Sequence, residues 1–204
     1  MSHADSKPII AVEDLHFGFP SGPELVCQDH AWGAGLHLIQ GDEGVGKTAL
    51  LCTLAGDVRP IAGRVLGNAR DVFWQHPRAE LNEAERQMTC SDWVAQRAKP
   101  FAHWSAADFD RHAAGFGLSE HMHKPLLALS TGSLRKLWMA TAWASGAALV
   151  LIDEPLAALD KGSMRYVETT LNEFGLLRQH ARCVIVTHWD AMQHVDWDDV
   201  FTLG

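Results

Sequence analysis

Gly41-Asp42-Glu43-Gly44-Val45-Gly46-Lys47-Thr48 follows the apolar stretch Leu36-His37-Leu38-Ile39 and leads into Ala49-Leu50-Leu51, with Leu54 a turn later. The stretch is a complete G-x-x-x-x-G-K-[ST] pattern between a strand and a helix, the setting of a phosphate loop in an α/β protein with a mostly parallel central sheet. Glycines let the backbone turn tightly enough for successive N–H groups from Gly41 to Ala49 to face phosphate oxygens. The helix expected to begin near Thr48 adds its positive end. Lys47 is placed to reach the β- and γ-phosphates of a nucleoside triphosphate, and the Thr48 hydroxyl to ligate Mg²⁺.

The 204 residues fit one domain with a small insertion and are enough for a substantial core, with no second catalytic domain expected. A formal net charge of −8 sets the overall field against phosphodiester backbones and anionic headgroups, so nucleic acid is not expected as a partner. Cys27, Cys52, Cys90 and Cys183 are widely spaced, and Met1-Ser2-His3-Ala4-Asp5 has no apolar signal region. Both features suit a reduced, cytoplasmic protein. The apolar run over residues 137–152 falls short of a membrane span and is broken at Ser145-Gly146, so it reads as a buried helix followed by a buried strand. His121 and His123 form an H-x-H pair with no Cys or carboxylate cluster beside it, a pattern that suits surface histidines better than metal ligands.

Short apolar stretches bounded by Gly, Pro and Asp predict strands over residues 9–12, 15–19, 35–39 and 63–66, with another at 71–74. The helix after the phosphate loop is expected to reach Ala55 and stop at Gly56. Residues 76–128 are rich in Ala, Glu, Arg, His and Trp at helical spacing, which marks a helical insertion between a first segment, 1–75, and a last one, 129–204. In that last segment residues 147–152 and 182–186 are nearly continuous apolar runs, the mark of parallel strands covered on both faces, and residues 161–177 form an amphipathic helix.

The apolar run Leu149-Val150-Leu151-Ile152 ends in Asp153-Glu154. Alternation sends neighbouring side chains to opposite faces, but the chain leaves the sheet here, so both carboxylates can approach one crevice. Beside a phosphate loop, the first acid suits the Mg²⁺ shell and the second can polarise an attacking water.

With these residues in hand, the chain resembles the ATP-binding-cassette ATPases over nearly its whole length and in the family's motif order. Gln75 stands where that family has its Q-loop glutamine, and Leu129-Ser130-Thr131-Gly132-Ser133 resembles the signature Leu-Ser-Gly-Gly-Gln. Asp153-Glu154-Pro155 and Ala157-Ala158-Leu159-Asp160 resemble the Walker B end and the D-loop, and Thr187-His188 the switch histidine. Phe19, or else Phe17, is placed like the aromatic that stacks on adenine.

The resemblance implies an antiparallel β-subdomain near the N-terminus and a head-to-tail pair of subunits in which ATP on one phosphate loop is closed over by Ser130, Gly132 and Ser133 of the other. It implies Glu154 acting on water, His188 at the γ-phosphate and Gln75 coupling the Mg²⁺ site to a partner. Asp153 and Thr48 would hold the ion, and Asp160 would work across the pair. It also implies a multispan membrane permease as partner, with the ATPase peripheral on the cytoplasmic face. Small size and a compact insertion are similar to the ATPase subunit of the haem exporter of cytochrome c biogenesis.

Two departures matter. Thr131 and Ser133 replace a Gly and a Gln of the signature; Thr131 is tolerable if its φ is negative, and Ser133 can still cap a helix. Residues 58–75 are short for the family's usual β-hairpin. Other readings stay open: a soluble ATPase of the family acting on a non-membrane scaffold such as an iron–sulphur assembly, or a nucleotide-sensing partner with a degenerate signature. Trp74, Trp93 and Trp104 lie in or beside the helical insertion, where they suit either its core or an exposed interface.

Overall fold

The computed structural model describes residues 8–67, 71–76, 80–176 and 182–204. Residues 1–5, Pro77 and Leu177, which entered the sequence reading, lie outside these. An antiparallel sheet forms around β1 (Ile10–Phe17), whose two halves pair with β3 (His30–Trp32) and β2 (Leu25–Cys27). Strand β5 (Ala62–Gly67) pairs along most of β1 and supplies this sheet's fourth member despite the shortness of residues 58–75. Two separate apolar stretches were expected where β1 runs unbroken. Asp14 explains the difference: its φ is +46° and the register with β5 shifts beside it, so alternation is interrupted within one strand.

The second sheet is parallel throughout, in the order β6 (Val72–Trp74), β7 (Leu149–Asp153), β8 (Cys183–His188), β4 (Gly35–Gln40) and β9 (Asp199–Thr202). Every residue of β7 and β8 is buried, as their unbroken apolar runs require. The alternation of β7 divides the molecule into two cores. Val150 and Ile152 face one that holds Trp93, Trp138 and Trp143, and Leu149 and Leu151 face another with Leu50, Leu54 and Trp32.

Helix α1 (Lys47–Ala55) leaves the phosphate loop and stops at Gly56, whose left-handed backbone turns its N–H back onto the last carbonyls. The middle section holds α2 (Glu83–Gln87), α3 (Cys90–Ala98) and α4 (Ala106–Gly115), each opened by a capping side chain: Asn82, Thr89 and Ser105 respectively. Helix α5 (Thr131–Ala144) is capped by Ser130, and α6 (Lys161–Leu176) begins where Asp160 accepts the Ser163 N–H. No helix among the described residues is long and apolar enough to cross a membrane. Trp93 is fully buried in the core of the helical section, as the core reading has it; Trp104 is only half-buried against that core, and Trp74 packs instead against the core that holds Trp32.

Behind this core lies one pH-sensitive contact. His112 is buried on α4, its Nδ1 3.0 Å from the Tyr166 hydroxyl and its Nε2 3.3 Å from the Arg111 guanidinium. Burial, aided by the Arg111 charge, pushes its pKa down from 6.5 to about 4. The unfolded chain therefore binds the extra proton between pH 6.5 and 4. Stability is full above pH 6.5 and falls as pH drops through that window, by roughly 2 kcal/mol from this group. Denaturant titrations of wild type and His112→Asn from pH 7 to 4.5 are expected to show a shallower pH slope in the variant.

Candidate functional site

The sheet's carboxyl edge gathers three turns, after β4, β7 and β8. The first holds the phosphate loop. Gly46 caps α1 with φ +105°, and a Cβ there would lie 2.2 Å from Leu25, so both conformation and space demand glycine. Lys47, buried at the loop's base, donates to the Gly41 and Asp42 carbonyls at 2.7 and 3.1 Å, and its Nζ lies 3.3 Å from Glu154 Oε1.

Asp153 ends β7, where its two carboxylate oxygens are taken by hydroxyls from the start of α1 and from the neighbouring strand β8. The Thr48 hydroxyl donates to Oδ2 at 2.7 Å and the Thr187 hydroxyl to Oδ1 at 2.5 Å. Glu154 then leaves the sheet with φ +47°, a left-handed conformation that costs a non-glycine residue about 1 kcal/mol. That turn brings its carboxylate to Lys47 beside the phosphate loop, whereas Asp153 is met by Thr48 and lines a separate narrow cavity, so the two acids expected in one crevice border different cavities. His188, the last residue of β8, has Nε2 3.8 Å from Glu154 Oε2 and Nδ1 2.9 Å from Asp190 Oδ1. The Asp190 contact fixes the ring and leaves Nε2 turned toward the crevice.

Lys47, Thr48 and Glu154 open on a cleft of about 740 Å³ lined by the phosphate loop, Glu154 and Ala157, with Phe19 at one side; Asp153 lines a narrow cavity with Gln75, and His188 a neighbouring cleft that Glu154 and Trp189 share. Phe19 is 41% exposed there, whereas Phe17 is fully buried in the core. Of the two aromatics, Phe19 is the one free to meet a ligand. Two residues without a sequence motif also line the cleft: His76 and Trp189, the latter 61% exposed and tilted against His188 with ring centroids 5.6 Å apart.

The remaining candidates sit apart from the cleft. Gln75 lines a narrow cavity on the other side of Asp153, and its Oε1 accepts from Arg97, whose guanidinium lies 5.3 Å over the Trp93 ring. Ser130 caps α5 by accepting the Ser133 N–H at 3.1 Å, with the Ser133 hydroxyl 3.0 Å away. Asp160 is held within its own chain by Lys136 at 2.7 Å and by Ser163; the Lys136 ammonium and the Ser163 bonds keep its carboxyl far below the usual range. None of these three lines the cleft.

The signature replacements have a local explanation. Thr131 is the first residue of α5 and is not left-handed, so a side chain is tolerated, as the negative-φ condition required. Gly132 is different: a Cβ would stand 2.5 Å from the Ala158 carbonyl oxygen. Gly132→Ala is thus expected to displace the 157–160 turn and destabilise the chain by about 1–3 kcal/mol, while Thr131→Gly changes stability by less than about 1 kcal/mol. Paired thermal melts of the two variants check this.

Sequence reasoning also missed Thr187, Asp190, Arg97, Lys136 and Arg135. Each acts through a contact between remote segments, except Asp190, whose spacing two residues after His188 was available. Arg135, on α5, donates to the backbone carbonyls of both Asp153 and Glu154. Burial lowers its pKa while the two acids oppose the change.

Residues 33–157 match the ABC transporter family model. The chain is 30% identical over 183 residues to a cytochrome c biogenesis ATP-binding export protein, CcmA, of Ruegeria sp. (strain TM1040), covering 89% of this chain and 86% of that protein. It is 29% identical over 190 residues to a zinc import ATP-binding protein, ZnuC, of Halorhodospira halophila, covering 90% and 68%. A solved ATP-binding protein of an ABC transporter from Pyrococcus furiosus shares the fold, with a TM-score of 0.76 at 19% identity over 95% of this chain and 96% of that one. The chain belongs to the ABC transporter family as an ATP-binding, ATP-hydrolysing subunit that powers transport through a separate membrane permease.

Proposed function

We propose that ATP lies with its adenine against Phe19 and its phosphates along residues 41–49, that Glu154 takes the proton of the attacking water, and that His188 steadies the γ-phosphate through Nε2. The convergence of Lys47, Glu154 and His188 within 3.3 and 3.8 Å carries this reading. A γ-phosphate arriving at Lys47 competes with Glu154 for the same ammonium. The displaced carboxylate is then free to accept a proton from water, and Lys47 neutralises the charge that builds on the phosphoryl oxygens.

The oxygen set fits Mg²⁺. The Thr48 hydroxyl and the Asp153 carboxylate meet at 2.7 Å in a polar crevice, hard oxygen donors of the kind a small divalent cation shares with substrate phosphates. Gln75 adds an amide oxygen once it leaves Arg97. When bound, the ion would offset the charge of the phosphate oxygens. The chain's own part is to hold the Asp153 carboxylate in place, which the Thr48 and Thr187 hydroxyls do.

One chain carries both the cleft and the Ser130–Ser133 turn, which opens α5 and does not line that cleft. We infer a head-to-tail pair of identical chains, each covering the other's ATP with this turn, while Asp160 and Lys136 stiffen the turn from within. The helical section over residues 76–128 and Gln75 would then meet the permease at the cytoplasmic face. The CcmA relatives favour export in cytochrome c biogenesis over import as the process served.

The test is phosphate release from ATP by the purified chain with Mg²⁺, alongside co-purification from membranes. Steady hydrolysis and capture of a multispan partner are expected. A chain that binds ATP without releasing phosphate would refute the catalytic reading, and capture of a soluble scaffold would refute the permease.

A further inference from the structure

Glu154 reaches the crevice only because the chain turns left-handed straight after β7, and that conformation is disfavoured for a residue with a side chain. Something has to hold it. Arg135 is the group in place to do so: its Nη1 donates to the Asp153 carbonyl at 3.1 Å and to the Glu154 carbonyl at 2.6 Å. The Glu154 carbonyl also takes the Ala157 N–H at 3.2 Å, and the Glu154 N–H donates to the Thr187 carbonyl at 3.0 Å. The corner is thus tied to its neighbouring strand and to its own turn; α1 reaches its side chains through Lys47 and Thr48, and Arg135 on α5 reaches its backbone carbonyls. The Arg135 side chain lines the narrow cavity beside Gln75, Asp153 and Pro155, behind the crevice, and does not line the nucleotide cleft.

We propose that Arg135 is a positioning residue for hydrolysis: it fixes the Asp153–Glu154 corner so that the Glu154 carboxylate faces the water and the γ-phosphate. The proposal rests on the reading of Glu154 as the base. A charged donor shared by two successive carbonyls can only be satisfied when those carbonyls converge, which is the geometry of the left-handed turn. Because Arg135 touches neither nucleotide nor water, its loss acts on turnover and spares binding.

The test is a comparison of Arg135→Ala, Arg135→Lys and Glu154→Gln with wild type. Steady-state phosphate release is measured with and without millimolar guanidinium chloride, and binding by titration with a fluorescent ATP analogue. Arg135→Ala is expected to lower kcat about 10- to 100-fold, the scale of an ångström-level misplacement of a reacting group, with analogue affinity within about twofold of wild type. Arg135→Lys and added guanidinium each restore part of kcat. Unchanged kcat in Arg135→Ala overturns the proposal, as does a loss of kcat matched by an equal loss of affinity or left unrescued by Lys and guanidinium alike. Should Arg135→Ala fail to fold, Arg135→Lys decides alone, with a smaller fall in kcat at unchanged affinity expected and wild-type kcat overturning. If Glu154→Gln turns over normally, the reading of Glu154 fails; if it is inactive while Arg135→Ala is fully active, only the Arg135 proposal fails.

Discussion

Glu154→Gln is expected to bind ATP as wild type does and to hydrolyse it about 10²- to 10⁴-fold more slowly, the range that a positioned general base contributes. The amide matches the carboxylate in shape, so the left-handed corner, its bonds to Arg135 and Thr187, and the lining of the cleft are retained. What is lost is the ability to take a proton. In the free chain Glu154 also holds the Lys47 ammonium at 3.3 Å, and a neutral amide competes less for it. ATP affinity therefore stays level or tightens slightly. With hydrolysis blocked, the closed pair of subunits accumulates, and size-exclusion chromatography with and without ATP is expected to show a dimer that forms only with nucleotide. Turnover near the wild-type rate in Glu154→Gln would contradict the assignment.

Lys47→Ala is expected to weaken ATP binding about 10- to 100-fold, corresponding to the roughly 1.5–3 kcal/mol of a hydrogen bond to a charged group. Two effects add here. The ammonium that meets the β- and γ-phosphates disappears, and the Glu154 carboxylate is left facing the arriving anion without its counter-charge. Because the Lys47 ammonium is set against the outer phosphates, the loss should be far smaller for AMP than for ATP. Calorimetric titration with each nucleotide checks both parts; equal losses for AMP and ATP would mean that Lys47 supports the loop rather than the phosphates.

The residues that define the site were legible because each lies in a short pattern with its own chemistry. The run from Gly41 to Thr48, the acids after an apolar strand and the histidine after another are local, and the sheet brings their ends together whenever it forms. The phosphate-loop helix and its stop at Gly56 followed from the same local signals. Strands β2, β3 and β9 were not legible. They are three or four residues long, too short for alternation to show, and exist because β1 or β4 offers a partner. Arg135, Arg97 and Lys136 were equally hidden, since nothing in a helical sequence says which carbonyl or carboxylate of another segment its side chain will meet. Trp93 and Trp189 show the limit from the other side: similar residues, one fully buried and one largely exposed, separated only by the tertiary fold.

The central claim is that two copies of this chain share each ATP site, one giving Lys47 and Glu154 and the other the turn at Ser130 to Ser133. Mixing two inactive variants tests it most directly. Glu154→Gln cannot activate water, and Ser130→Asp keeps a side-chain acceptor for the Ser133 N–H while placing a negative charge at the turn that must cover the partner's γ-phosphate. Each alone should be inactive in phosphate release. Their equimolar mixture should recover up to roughly a quarter of wild-type activity, because half of the pairs are mixed and each mixed pair holds one intact site of two. Mixtures that stay inactive at every ratio, while each variant still binds ATP and folds, would contradict a site shared between identical chains.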